Sequence, residues 1–222
     1  LSARRSEDTG VAVIGLGRFG CHLAGSLARL DHEVLAVDRD PERVQRWSGE
    51  LDRVVQADAT EEAVLRQLGM ADFPRVVVAI GASVEASVLT VLALTELGVP
   101  QIWARATSEK HAKILHSVGA HHVVFPEAET GERVAHLIVS RMLDFIEFGD
   151  DFAIAKIRVP PPLVGRSLRD LAPQDRYGVM VVGAKQPGQP FRYAEPETVL
   201  ERESVLIVEG SIAQVQRFAA LA

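Results

Sequence analysis

From Val11 onward, short continuous apolar runs alternate with longer stretches in which apolar residues recur every three or four positions. The first pattern is that of buried strands and the second that of amphipathic helices. Strands are predicted over residues 11–14, 33–37, 53–56, 75–80, 102–106 and 122–125. The run 75–80 is rich in valine and has no polar break after Arg75, as in a strand covered on both faces. Helices are predicted over 18–30, from Pro41 (a residue suited to a first helical turn), from a Thr60 N-cap to Leu68-Gly69, and over 83–97 and 109–118. Glu61 and Glu62 fall in the first turn of the third helix, Gly98 and Pro100 stop the fourth, and Gly119 ends the fifth. Six strands joined by crossover helices predict a Rossmann-like α/β fold, a doubly wound parallel sheet in the order 3-2-1-4-5-6.

After Phe125 the rhythm changes. Residues 127–146 read as one long amphipathic helix, with Val134, Leu137, Ile138, Met142 and Phe145 at helical spacing. Gly149-Asp150-Asp151 breaks it. Short β-rich segments follow at 152–159, 179–184 and 204–208, punctuated by Pro160-Pro161-Pro162 and Gln186-Pro187-Gly188-Gln189-Pro190, and a last helix is expected over 212–221. This is a second, smaller α+β domain, small for the catalytic domain of a dehydrogenase.

The chain has 222 residues, 47% of them hydrophobic, enough for one Rossmann unit and a small extra domain. A net charge of −6 argues against nucleic acid as a partner. The single cysteine, Cys21, excludes an internal disulfide and reads as a small buried filler. No apolar run reaches membrane-spanning length and no signal-peptide pattern is visible; a soluble, cytoplasmic protein is the expectation. The start, Leu1-Ser2-Ala3-Arg4-Arg5, lacks methionine and reads as a truncated or processed end.

The chemistry begins at Gly15-Leu16-Gly17-Arg18-Phe19-Gly20. It stands between a strand and a helix, the context in which GxGxxG marks phosphate binding. Gly15 permits the tight turn, Gly17 lets the backbone approach a diphosphate, and Gly20 lets the helix pack on the strand. The phosphates then sit where unpaired N–H groups and the helix dipole favour negative charge. Asp38, about twenty positions on at the end of the second strand, is the expected acceptor for ribose hydroxyls, with Arg39 beside it. Arg18 brings a guanidinium to the phosphates, which suits a ligand with more phosphate charge than a dinucleotide, such as ATP.

Further candidates lie at strand ends. Asp58 and Ala59 follow the third strand, where a carboxylate could accept from an adenine amino group or serve a turn. Ile80 and Gly81 follow the fourth, near the bound nucleotide, and Arg105 ends the fifth, where it could reach phosphates or make a structural salt bridge. Glu127, in Phe125-Pro126-Glu127, could hold a divalent cation bridging phosphates; on spacing alone it stabilises a helix dipole. His111 and His116 are five apart, off one helical face, and neighbouring His121 and His122 diverge on a strand, so the histidines read as surface or packed residues. No nucleophile elbow, Walker loop or triad pattern is visible.

These motifs in this order resemble the RCK family (regulator of potassium conductance, also KTN), and within it the Ktr-type regulatory subunits. The resemblance is carried by the glycine loop, His32-Glu33-Val34-Leu35-Ala36-Val37-Asp38, Ala57-Asp58-Ala59-Thr60-Glu61-Glu62, Val78-Ala79-Ile80-Gly81-Ala82, Ile102-Trp103-Ala104-Arg105-Ala106, Gly119-Ala120 and Phe125-Pro126-Glu127. Leu163-Val164-Gly165-Arg166-Ser167-Leu168 and Val205-Leu206-Ile207-Val208-Glu209-Gly210 resemble the family's C-terminal domain. The resemblance implies a tail over 1–10, a nucleotide-binding domain over 11–130, a linker helix for dimerisation over 131–150 and an RCK_C domain over 151–222. It implies a nucleotide sensor without enzymatic activity. Homodimers would close into an octameric ring docked on a membrane-embedded potassium-transporting subunit, active with ATP and inactive with ADP. Gly15, Gly17, Arg18, Phe19, Gly20, Asp38, Arg39, Asp58, Ala59, Ile80, Gly81, Arg105 and Glu127 would bind the nucleotide. In the family the glycine-loop arginine, here Arg18, meets the terminal phosphate, and the glutamate, here Glu127, contributes to a Mg2+ or Ca2+ site. Some members bind cyclic di-AMP in the C-terminal domain. NAD(H) remains an alternative ligand, as for a redox sensor or an NAD-dependent oxidoreductase.

Overall fold

The computed structural model describes residues 10–139 and 141–221. Apart from Gly10, the expected terminal tail lies outside the described residues. The chain forms two compact units that divide between Glu127 and Ala128.

The first unit runs β1 (Val11–Ile14), α1 (Arg18–Arg29), β2 (Val34–Asp38), α2 (Pro41–Trp47), β3 (Arg53–Gln56), α3 (Glu62–Gln67), β4 (Arg75–Val78), α4 (Val84–Glu96), β5 (Gln101–Arg105), α5 (Glu109–Ser117) and β6 (His122–Val124). The strands pair in parallel in the order β3-β2-β1-β4-β5-β6, the order predicted. Every residue of β1 and β2 is buried, and alternate residues feed opposite faces. Ala12, Ile14, Leu35 and Val37 enter one core cluster, whereas Val11, Val13, Val34 and Ala36 enter another. That two-sided burial is why these strands read as unbroken apolar runs. On α1 the inward residues are the small Gly20, Cys21 and Ala24, which bring the helix close to the sheet.

Thr60 does not cap α3. The N-cap is Glu61, and the Thr60 hydroxyl and backbone N–H both turn back to the Asp58 carboxylate. A threonine two residues after an aspartate is drawn into the local turn, and that competes with capping.

α6 (Pro126–Val139) opens on proline, as a first turn permits. The long helix expected over 127–146 is not formed, because α6 ends at Val139 and β7 (Met142–Glu147) follows. The spacing misleads for a physical reason. A bulge in β7 inserts one extra residue between Met142 and Asp144, so Met142 and Phe145, three apart, both turn into the core. In a regular strand they would face opposite ways. β8 (Phe152–Arg158), α7 (Leu168–Leu171), α8 (Pro173–Tyr177), β9 (Met180–Lys185), β10 (Arg192–Tyr193), β11 (Val205–Ser211) and α9 (Ile212–Ala219) complete the second unit. Its five strands form an antiparallel sheet, β10-β9-β11-β8-β7. β8 alternates, burying Ala153, Ala155 and Ile157. A reciprocal Ser211–Gln214 capping box starts α9, whose Val215 and Phe218 are buried in the same core. Among the described residues no helix is long and apolar enough to cross a membrane.

His111 is built into α5 as a structural group, 2% exposed. Its Nδ1 accepts from the Thr107 backbone N–H at 3.3 Å, which places the ring proton on Nε2, a buried atom without a partner among the described residues. Burial pushes its pKa below the ordinary 6.5. The unfolded chain therefore binds a proton that the folded one resists. Stability from this group is fully present above about pH 6.5 and is lost as pH falls below that value. Denaturant melts from pH 7.5 to 5 are expected to show this acid loss, and His111→Asn is expected to reduce it; an identical slope in the variant would exclude His111 as its source.

Candidate functional site

The carboxyl ends of β1 and β4 face a crevice of about 450 Å3, within the range of roughly 300–1,000 Å3 typical of small-ligand sites. Here, at neighbouring central strands, the sheet order reverses, the position where open α/β sheets bind ligands. The loop after β1 is tied on both sides: Gly15 N–H donates to the Val37 carbonyl at 2.7 Å, and Ala79 N–H to the Ile14 carbonyl at 2.8 Å.

The three glycines of the loop differ in what makes them glycine. Gly15 has φ +99°, and a Cβ there would stand 3.2 Å from the Ala79 and Ile80 backbone. At Gly20 a Cβ would overlap the Gly15 carbonyl oxygen and come within 2.9 Å of the Ala79 side chain. Both are required by the protein's own packing. Gly17 has an ordinary φ of −68°, and among the described residues nothing beyond its own chain neighbours lies within 4 Å of where its Cβ would stand. It lines the crevice as the N-cap of the twelve-residue α1, which has no side-chain cap and no acidic residue in its first turn. Orphan N–H groups and the positive end of the dipole therefore face a space that no side chain obstructs.

Asp38 is 5% exposed, yet its carboxylate reaches the crevice. Oδ2 accepts from the Leu16 N–H at 2.6 Å and Oδ1 from the Asp40 N–H at 2.9 Å. Arg43 Nη1 lies 3.3 Å from Oδ2 and Nε 3.3 Å from Asp40. Two oxygens carry about four acceptor sites and these three donors take three, so about one remains for a ligand hydroxyl while the same group fixes the loop. Asp58 is exposed and lines the same crevice. Hydrogen bonds from the Thr60 hydroxyl and then the Thr60 N–H hold its pKa below the ordinary value, with Arg39 adding a smaller pull. It stays an anion, suited to accepting and unsuited to acid catalysis.

Gly15, Gly17, Arg18, Asp38, Arg39, Asp58, Ala59, Ile80, Gly81 and Arg105 all line this crevice. Phe19 packs against the core beneath α1, and Gly20 serves close packing. Glu127 stands outside the crevice on the Arg105 guanidinium, 2.5 Å from Nη2. Ala82, which follows Gly81 in the sequence expected near the nucleotide, lines the crevice as well, and so do Arg43, Ser83 and Ala86, the last two at the α4 N-terminus; sequence reasoning singled out none of these last three. The only signal for Arg43 was its place on the helix opened by Pro41, five residues after Asp38. Four arginines (18, 39, 43 and 105) against three aspartates (38, 40 and 58) give the crevice a net positive charge in a chain of net −6. Among the described residues, Arg18 and Arg39 form no salt bridge. With Arg105 paired to Glu127 and Arg43 to Asp38 and Asp40, these two guanidiniums are the ones available to an incoming anion. The histidines are placed structurally: the His121 ring accepts from the Ile102 N–H and His122 stacks on Trp103 at 4.0 Å.

The TrkA-N domain model matches residues 11–126 and the TrkA-C domain model residues 152–222. The Ktr system potassium uptake protein C of Bacillus subtilis (strain 168) is 38% identical over 208 residues, 93% of this chain and 94% of that protein. The Ktr system potassium uptake protein A of Vibrio alginolyticus is 35% identical over 207 residues, again 93% and 94%. The GsuK channel bound to NAD superposes with a TM-score of 0.52 at 26% identity, over 96% of this chain and 38% of that one. GsuK bound to ADP gives 0.51 at 28% over 61% of this chain and 35% of the channel. The chain thus spans less than two fifths of the channel chains it resembles. With both domain models matched in order, and 35% and 38% identity to these two relatives over 93% of the chain, the chain belongs to the TrkA-N/TrkA-C (RCK) family.

Proposed function

We propose that this protein is a nucleotide-sensing regulatory subunit of a membrane potassium-uptake system, with ATP and ADP as the ligands of the crevice. The observation that carries nucleotide binding is Gly17, a glycine that no protein contact requires, set at an uncapped helix N-terminus beside the unpaired Arg18. Asp38 would take the ribose and the α1 N-terminus the phosphates. The potassium-uptake role rests on the full-length Ktr relatives. Homodimers assembling into a ring on a transporting subunit, and Mg2+ or Ca2+ held with the help of Glu127, belong to the same reading.

A ligand shifts a conformational equilibrium only by its differential affinity for the two states. ATP carries one phosphate more than ADP. If Arg18 reaches that group in one state alone, charge-assisted hydrogen bonds supply the difference. The test is calorimetric titration with ATP, ADP, NADH and cyclic di-AMP, with and without magnesium, on the wild type and Arg18→Ala. Arg18→Ala is expected to weaken ATP about tenfold, allowing for the exposure of the side chain, and ADP much less. Equal losses for both would remove Arg18 from the switch. The second reading, an NAD(H) sensor, is favoured by the NAD-bound GsuK relative and by Asp38; NADH binding without ATP or ADP binding would establish it in place of the first.

A further inference from the structure

Arg105 is the last residue of β5, and its side chain crosses to the loop after β4 and lies over Gly81. A Cβ at residue 81 would stand 2.6 Å from the guanidinium carbon. Gly81 has no positive φ to explain it, so the glycine makes room for this arginine. There Nη2 lies 2.5 Å from Glu127 Oε1 and Nε 3.4 Å from Oε2, a two-pronged contact. The partners are unequally placed: the arginine side chain is 17% exposed, the glutamate 61%. The cation is fixed by packing in the wall of the crevice, while the carboxylate is held mainly by the cation.

We propose that Glu127 is an exchangeable counter-ion for Arg105, competing with the phosphate groups of a bound nucleotide, so that nucleotide binding releases the carboxylate at the first turn of α6. This rests on the nucleotide reading above and deepens it. A guanidinium largely withdrawn from water needs an anion beside it. Glu127 supplies one from outside the crevice, and a phosphate supplies one from within. Each weakens the hold of the other, because the attraction is to one shared positive charge. Coupling of this kind is reciprocal: phosphate charge loosens Glu127 by as much as Glu127 opposes phosphate charge. It grows with the number of phosphates and is absent for a nucleoside. It gives the start of α6 a state that depends on the occupant of the crevice.

The competition makes a prediction opposite in sign to that of a cation ligand, for which loss of the carboxylate weakens nucleotide binding. Calorimetry at low salt with EDTA present removes any cation contribution. There Glu127→Gln is expected to bind ADP about threefold to fivefold more tightly than wild type, the scale of a partly solvated ion pair. Adenosine affinity is expected to be unchanged, and the ADP gain to shrink in high salt. In an Arg105→Gln background the same Glu127 substitution is expected to have no effect on ADP. Unchanged or weaker ADP binding by Glu127→Gln, or an equal gain without Arg105, would overturn the competition. A wild-type protein that binds no ADP would instead remove the nucleotide reading and the competition with it, an outcome separable because it is seen before any variant is compared.

Discussion

Asp38→Ala is expected to lower ADP affinity about a hundredfold and to destabilise the first unit by about 2–3 kcal/mol. Two losses combine. The ligand loses its ribose acceptor, and the Leu16 N–H, which donates to Asp38 at 2.6 Å in a buried setting, is left without a partner. An orphaned buried donor costs about 1–3 kcal/mol, and here it belongs to the loop that must present its N–H groups to phosphate. One effect runs the other way. Removing a carboxylate makes the crevice more positive and leaves Arg43 with Asp40 alone as its 3.3 Å partner, which favours phosphate. That gain is screened at physiological salt and amounts to about 1 kcal/mol or less, so the losses win. Asp38→Asn keeps an acceptor for the Leu16 N–H but turns its NH2 towards the Asp40 N–H, so it is expected to lose less stability than Asp38→Ala while binding ADP much more weakly than wild type. Full ADP affinity in Asp38→Ala, with only the melting temperature reduced, would make Asp38 purely a loop anchor.

The first unit was legible because two-sided burial writes itself into sequence: Val76, Val77 and Val78 cannot be mistaken for a helical face, and the glycine loop fixes which strand begins the winding. The crevice residues were legible for a related reason. Open parallel sheets bind at strand ends, so the residues just after β1, β2, β3 and β4 are marked by position alone. Side-chain reach was not legible. Nothing in the spacing says that Arg105 would turn over Gly81 towards Glu127, 22 residues on, or that Arg43 would return to Asp38. Nor do motif positions declare their purpose: Phe19 and Gly20 belong to the glycine loop but serve packing. In the second unit the bulge in β7 imitates helical spacing, and β10, with two residues, is too short to carry a period.

The same distinction among the loop glycines separates binding from folding in a pair of variants. Gly20→Ala is expected to lower the stability of the first unit by about 3 kcal/mol or more, the upper end of overpacking costs. The added methyl meets the Gly15 carbonyl and the Ala79 side chain at 2.9 Å, and a backbone carbonyl cannot rotate away as a side-chain tip can. Relief requires α1 to lift from the sheet, which opens the core that Cys21 and Ala24 seal. Gly17→Ala adds the same methyl three residues earlier, where φ is −68° and, among the described residues, nothing beyond the chain neighbours lies within 4 Å. Its cost is that of a poorer N-cap, below about 1 kcal/mol. The methyl stands where phosphate must approach the α1 N–H groups, so ADP affinity is expected to fall at least about tenfold while the denaturation midpoint barely moves. Chemical denaturation and calorimetry on both proteins check the pair. Unimpaired ADP binding by Gly17→Ala would mean that phosphate lies elsewhere than at α1, and the nucleotide reading would lose the observation that carries it. Wild-type stability in Gly20→Ala would mean that the close approach of α1 to the glycine turn does not support the fold.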